Sequence, residues 1–329
     1  MNKFQHANAR SIKEALSSLG DNWDGMRIIA GGTDLLGEIK NGIVSPKAVI
    51  NIKTIRDLNF IKYVSGKELR IGALTRIADI ENNTIIKEKF TALWDAARVI
   101  ASPQLRNMGT IGGNLCQRPR CWYYRGDFNC FRKGGMGCFA FNGENKRHCI
   151  FGGHGCFIVH PSDLAPAFIA LKAQVKIASK EGERNLPLED FFVGPETDMQ
   201  RENILKPNEI VSEVIIPDPL LGTRSLYHKR MERKVWDFAL VSVAASLSFQ
   251  GKSCKEARVV IGGVAPVPWR VKNVEDYLEG KAINTNVAKR AGELATKGAK
   301  PLKQNGYKVD LVKIMVKEAL LSLYKKVSN

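Results

Sequence analysis

Ala101-Ser-Pro-Gln-Leu-Arg-Asn-Met-Gly-Thr-Ile-Gly-Gly-Asn-Leu115, or ASPQLRNMGTIGGNL, is the stretch on which the reading of this sequence turns. Glycine lacks a β-carbon, so the backbone around Gly109, Gly112 and Gly113 can bend until successive N–H groups converge on a phosphate. Thr110 and Asn114 offer side-chain donors beside them. A second segment of this kind, Ala30-Gly31-Gly32-Thr33-Asp34-Leu35, follows the short strand pattern Arg27–Ala30. Neither segment fits GxGxxG and neither is a Walker loop, which disfavours a nicotinamide Rossmann site and an ATPase. Paired glycines also serve plain turns, so composition alone leaves both readings open.

Working outward, 329 residues allow two or three packed units, and 44% hydrophobic content is ordinary for a globular chain. The longest apolar stretch, Phe238–Phe249, contains serines and is too short for a membrane span. MNKFQHANARS at the amino terminus has no apolar core, so a cytoplasmic protein is expected. Ser11 and Glu14 form a capping-box pattern ahead of a short helix. Strands are expected at Ala48–Ile52, Leu69–Ile71, Gln174–Ala178 and Glu209–Ile216, and helices at Arg76–Glu81, Ile86–Ile100 and Asp163–Leu171. Strands at Tyr227–Met231, Asp237–Leu247 and Ala257–Gly262 with two late helices make the last third a separate α+β unit. From Leu115 to Phe157 neither period is visible, and a loop of that length is usually functional.

That loop holds six of the seven cysteines: Cys116, Cys121, Cys130, Cys138, Cys149 and Cys156. In an unexported chain they are expected to be reduced thiols. The last five are separated by 9, 8, 11 and 7 positions, with no C-x-x-C anywhere in the chain. Such wide gaps suit a loop wrapped around a bulky cluster better than a zinc knuckle, which uses tight pairs, although spacing alone leaves the metal open. Nine of the chain's 26 aromatic residues crowd this loop, either keeping water from a cluster or simply holding the loop together. Between Cys116 and Cys156 there are seven Lys or Arg against two Asp or Glu, a basic rim that Arg132 and Lys133 would present to an acidic electron carrier. The net charge of +17 is otherwise dispersed, and the eleven Lys or Arg from Lys281 to Asn329 read as a solvated helix face. Nucleic-acid binding is therefore not expected.

The order AGGTDLL (30–36), ASPQLRNMGTIGGNL (101–115) and HPSDLAPAF (160–168) resembles the FAD-binding medium subunit of the xanthine dehydrogenase and carbon monoxide dehydrogenase family. The resemblance implies an α+β fold: an FAD-binding domain over 1–218 with subdomains of about 1–55 and 56–218, then a C-terminal domain over 219–329. It implies that Ile29, Ala30, Gly31, Gly32, Thr33, Asp34 and Leu35 wrap the pyrophosphate. Ala101, Thr110, Ile111, Gly112, Gly113 and Asn114 would line the flavin and ribityl chain, and Asp163 would accept from a ribityl or ribose hydroxyl. Lys229 would approach the isoalloxazine ring. The plainer alternatives are a helix N-terminal carboxylate for Asp163 and a solvated strand lysine for Lys229.

Within the family, the insertion over about 115–157 resembles the β-subunit of 4-hydroxybenzoyl-CoA reductase, whose loop binds a 4Fe-4S cluster. The shared features are the opening GNLCQ with Arg120-Cys121, the eight-residue step from Cys130 to Cys138, and Cys156 seven residues before Asp163. The resemblance implies Cys121, Cys130, Cys138 and Cys156 as ligands. The flanking gaps of 9 and 18 depart from the reductase and keep Cys149 as an alternative to Cys156. It also implies partners: a small 2Fe-2S subunit, a large molybdopterin subunit, and a ferredoxin or other acidic carrier. The competing expectations are an FAD subunit of a purine or aromatic hydroxylase with a structural or zinc-binding loop, and, remotely, a zinc-loop nucleic-acid binder.

Overall fold

The first strand patterns pair as a three-stranded parallel sheet, β1 (Gln5–Asn8), β2 (Met26–Ile29) and β3 (Ala48–Asn51), in the order β1-β3-β2. Parallel neighbours need crossovers, and the helix Ile12–Ser18 supplies the first. Ser11 Oγ accepts from the Glu14 N–H at 3.1 Å, while Glu14 reaches back to the Arg10 N–H at 2.7 Å, one residue earlier than a standard capping box. β2 runs directly into the turn Ala30–Asp34 and then the helix Leu35–Lys40, so the turn lies at a strand's carboxyl end. The computed structural model describes residues 2–23 and 25–325.

A five-stranded antiparallel sheet follows: β4 (Ile61–Val64), β5 (Glu68–Gly72), β6 (Gln174–Ser179), β7 (Gly182–Pro187) and β8 (Ile210–Pro217), in the order β4-β5-β8-β6-β7. Its core joins Leu69, Ile71 and Val214 of the sheet to Leu93, Ile111 and Phe168 of the helices packed on it. The helix Leu164–Ala170 is buried at every position, which is why LAPAFIA carries no polar stripe. The single helix expected over Ile86–Ile100 is instead two, Thr84–Lys89 and Thr91–Arg98. They break at Phe90, whose backbone leaves helical angles while its fully buried ring anchors both. Between β5 and β6 the chain makes one long excursion, and both the second glycine segment and the cysteine loop lie on it.

The last sheet is antiparallel, β12-β11-β10-β9, from β9 (Arg224–Arg230), β10 (Val241–Gln250), β11 (Ser253–Gly262) and β12 (Trp269–Arg270). Val243, Ala245 and Leu247 face one way, onto the helix Tyr307–Lys325, while Ala244 and Val260 face the other and join the core of the five-stranded sheet. Burial on both faces explains why Val241–Leu247 is nearly continuous in apolar residues. Three late helices, Lys272–Leu278, Thr285–Leu294 and Tyr307–Lys325, stand where two were expected.

The cysteine loop has little regular structure, a one-turn helix at Trp122–Arg125 and a tight turn at Phe131–Lys133. Short turns satisfy many of its backbone groups, such as Phe131 N–H to the Gly137 carbonyl and Cys149 N–H to the Phe157 carbonyl, each at 2.9 Å, and distant side chains satisfy others. Asn305 donates to the carbonyls of His148 at 3.1 Å and Cys149 at 3.0 Å, and Asn145 and Gln304 bond reciprocally at 2.9 Å. Lys308, wholly buried, donates to the carbonyls of Arg147 at 3.1 Å and Gly263 at 2.7 Å. That lysine is an exception to the solvated face expected of the late helices; the Lys325 side chain and Lys326 of that stretch lie outside what is described.

Candidate functional site: two glycine-lined cavities and a thiol pocket

The two glycine segments meet backbone to backbone. A β-carbon on Gly31 would collide with the Met108 carbonyl and lie 3.1 Å from Gly109 Cα. Gly32 has φ +71°, a left-handed conformation that glycine adopts without strain. Thr110 caps the short helix Ile111–Leu115 by accepting from the Gly113 N–H at 3.2 Å. Among the described residues, the N–H groups of Gly31, Gly32, Thr33 and Asp34 find no protein acceptor. A turn of unanswered donors at this junction is the arrangement that phosphate oxygens satisfy.

Two cavities open on either side of the junction and share Thr33, Asp34, Thr110, Gly113 and Gln117 in their walls. The first holds about 1340 Å³ of space out to its mouth and is lined by all of Ile29 to Leu35 and by Gly112. In its wall the Arg201 guanidinium lies 3.2 Å from the centre of the Trp23 ring. The second, of about 870 Å³, is lined by Ala101, Asn114, Arg120, Asp163, Trp236 and Phe238 among others. At its rim the Trp236 N–H donates to the Ala101 carbonyl at 3.0 Å, and both residues carry positive φ, +54° and +45°.

Two of the expected site residues are placed differently. Ile111 lines neither cavity; it is fully buried in the core under the five-stranded sheet. Lys229 is neither solvated nor part of a cavity wall. Its ammonium bonds Asp163 at 2.7 Å, the Asp237 carbonyl at 2.8 Å and the Val99 carbonyl at 3.3 Å. Asp163 also accepts from the Tyr227 hydroxyl at 2.5 Å, and burial beside this carboxylate pushes the phenol well above its ordinary range. The carboxylate thus reaches the second cavity already holding a cation and a hydroxyl. Trp23, Arg201, Trp236 and Phe238 had no motif to mark them, and Arg120 was noted only beside Cys121 in the opening of the cysteine loop.

Asp34 turns its carboxylate away from the donors of its own turn and toward the cysteine loop. It receives Arg120 and Arg125, each at 2.8 Å, and the Arg118 N–H at 2.7 Å. Nearby, the buried Tyr124 hydroxyl donates to Glu38 at 2.6 Å. These bonds fasten the start of the cysteine loop to the first glycine segment. Burial lowers the Arg120 pKa, opposed by Asp34.

Cys121, Cys130, Cys138 and Cys156 all line one small pocket, with about 290 Å³ of space between its atoms, together with Phe131, Phe157 and His148. His148 Nε2 lies 3.3 Å from Cys121 Sγ, and burial lowers its pKa to about 4. Cys149 is buried but is not in this wall, and Cys116 lines the first cavity instead. Burial pushes the Cys121 thiol up to about 12 and raises Cys138 as well, so without a metal these groups hold their protons. Among the described residues, no three His, Cys, Asp or Glu side chains converge closely enough for a single metal ion.

The basic rim expected around this loop is corrected by its pairing. Arg132 is 1% exposed and bonded to Glu202, which also binds Arg118 at 2.7 Å. Lys146 and Arg147 bond Glu232 at 3.1 and 2.6 Å, and Lys133 donates to the Gly126 carbonyl at 2.6 Å. Apolar side chains of the loop are exposed beside these pairs: Trp122, Phe128, Met136, Phe139 and Phe141.

Residues 2–219 match the family described as the FAD binding domain in molybdopterin dehydrogenase, and residues 226–323 match the carbon monoxide dehydrogenase flavoprotein C-terminal domain. The chain is 35% identical over 293 residues to the aldehyde oxidoreductase FAD-binding subunit of Escherichia coli, covering 88% of each chain. It is 29% identical over 321 residues to the glyceraldehyde dehydrogenase medium chain of Sulfolobus acidocaldarius, covering 96% and 97%. A solved structure of carbon monoxide dehydrogenase from Hydrogenophaga pseudoflava superposes with a TM-score of 0.79 at 25% identity, covering 98% of both chains. No described helix is long and apolar enough to cross a membrane.

Proposed function

Because the chain belongs to the FAD-binding medium subunits of the xanthine dehydrogenase and carbon monoxide dehydrogenase family of molybdenum hydroxylases, we propose that it is an electron-transfer subunit holding FAD in its two glycine-lined cavities and a 4Fe-4S cluster in its cysteine loop. As an oxidoreductase subunit it needs no nucleophile of its own. The Gly31–Asp34 donors suit the pyrophosphate, with Trp23 and Arg201 beyond them for the adenosine end. Ala101, Asn114 and Asp163 would border the ring and ribityl chain. Bound FAD supplies transfer of one or two electrons within a single group. Asp163, neutralised by Lys229 and Tyr227, keeps an acceptor for a hydroxyl without presenting a bare charge.

The observation that carries the cluster reading is the convergence of four thiols, from positions 121 to 156, on one apolar pocket. Iron–sulfur clusters take four thiolates spread around a multi-atom core, whereas zinc draws them to within about 2.3 Å of one ion. The partners we infer are a small 2Fe-2S subunit and a large molybdopterin subunit, with substrate chemistry on the latter. An aldehyde is the substrate class supported by relatives named for aldehyde and glyceraldehyde oxidation. Reduction of a 4-hydroxybenzoyl-CoA-like thioester is the second reading, and the cysteine loop favours it. The test is anaerobic purification of the assembly, with flavin, iron and acid-labile sulfide measured per chain and both substrates assayed. Flavin and about four irons per chain beyond those of the 2Fe-2S subunit are expected; flavin with iron accounted for by that subunit alone removes the cluster, and absence of flavin as well removes the whole reading.

A further inference from the structure

Lys229 is held by Asp163 and two carbonyls, which leaves open what cation the second cavity offers its ligand. Among the described residues that line this cavity, Arg120 alone is positively charged. The guanidinium bonds Asp34 at 2.8 Å, donates to Gln117 at 3.2 Å and lies 5.3 Å from the centre of the Phe238 ring. The anions in the same wall are Asp34, Asp163 and Asp237. Asp163 is answered by Lys229 and Tyr227. Asp237 accepts from the N–H groups of Glu232 and Arg233 at 3.0 and 3.1 Å and faces the guanidiniums of Arg147 at 3.7 Å and Arg233 at 3.8 Å. Asp34 is shared by two guanidiniums at 2.8 Å, those of Arg120 and Arg125, so it does not answer Arg120 alone.

We propose that Arg120 is the positive charge presented to the flavin ring, that it raises the ring's reduction potential, and that Asp34 attenuates it. The inference deepens the function proposed above and rests on its flavin, not on its cluster. A flavin gains negative charge as it takes up electrons, and a cation in a poorly solvated wall favours that uptake more strongly than it would in water. The next residue along the chain, Cys121, lines the thiol pocket, so one peptide unit fixes this charge between the two sites. A guanidinium braced by a carboxylate, an amide and a ring is held in place better than a free lysine would be.

The test is a redox titration of the intact assembly, followed by flavin absorbance, for wild type, Arg120→Gln, Arg120→Lys and Asp34→Asn. Arg120→Gln is expected to shift the flavin potential negative, Arg120→Lys to recover most of that shift, and Asp34→Asn to shift it positive. Opposite signs for the two sites distinguish charge from a loosened loop, which would move both variants the same way. An unchanged potential in Arg120→Gln with flavin fully bound, or a negative shift in Asp34→Asn, overturns the proposal. If Arg120→Gln does not fold, the sign of the Asp34→Asn shift decides. A wild-type assembly without flavin would instead remove the reading on which the proposal rests.

Discussion

Gly31 shows how much one missing atom carries. Alanine there drives its β-carbon into the Met108 carbonyl, backbone against backbone, so neither glycine segment can yield without opening the donor turn. Gly31→Ala is expected to cost about 1–3 kcal/mol in urea unfolding and to release the flavin; a variant that keeps full flavin absorbance counts against the cradle. Arg132 is the opposite case, a residue whose charge suggests a surface and whose environment denies it. Reversal to Glu would bury two carboxylates together, with Glu202 3% exposed. Arg132→Glu should destabilise by about 3–5 kcal/mol, seen as a fall in Tm, rather than merely slow an electron donor at low salt. His160 adds a pH dependence. Burial, aided by Arg120, lowers its pKa to about 3 from the usual 6.5. The unfolded chain therefore binds a proton that the folded chain refuses, so this stability is intact above about pH 6.5 and lost as pH falls toward 3. His160→Gln should flatten the stability-versus-pH curve between pH 6 and 4 relative to wild type; parallel curves would exclude the effect.

At the scale of elements, the cysteine loop depends on a turn far away in sequence. Asn305 answers two buried carbonyls beside the thiol pocket, those of His148 and Cys149. Asn305→Ala leaves both unpaired, at a cost of about 1–3 kcal/mol. Iron retention is expected to fall while the flavin stays bound, because the glycine segments make no use of that turn. An unchanged iron-to-flavin ratio would show that the turn does not support the thiol pocket. Much of this loop's character was visible beforehand: Leu115–Phe157 has no period because its backbone is satisfied by short turns and by side chains from elsewhere. The break at Phe90 was not visible, since TALWDAAR and TIIKEK each read as helix and only the burial of the ring between them separates the two.

Across the whole molecule, the last sheet completes the site built by the first two. Tyr227 and Lys229 of β9 reach across to Asp163, which stands at the start of a helix in the preceding unit. The face of that sheet bearing Ala244 and Val260 is part of the same core as Leu69 and Phe168. A fragment ending at residue 223 would expose the apolar core around Phe168 that this face covers and strip Asp163 of both partners. It is expected to aggregate or to bind no flavin; a soluble, yellow fragment would show that the last sheet is dispensable to the site.

What the residues dictated unaided was local: where the backbone needs glycine, and which loop concentrates thiols. Those are properties of neighbouring atoms in one chain, and Gly31–Asp34 and Cys121–Cys156 could be singled out from their order alone. Which charge meets the second cavity was settled only by packing. Lys229 and Arg120 are both basic residues near motifs, yet the pairing of β9 with β10 and the buried start of the Leu164–Ala170 helix hand one to Asp163, while Asp34 holds the other in the cavity wall. A side chain's charge is written in the sequence, but its partner depends on which distant segment arrives beside it.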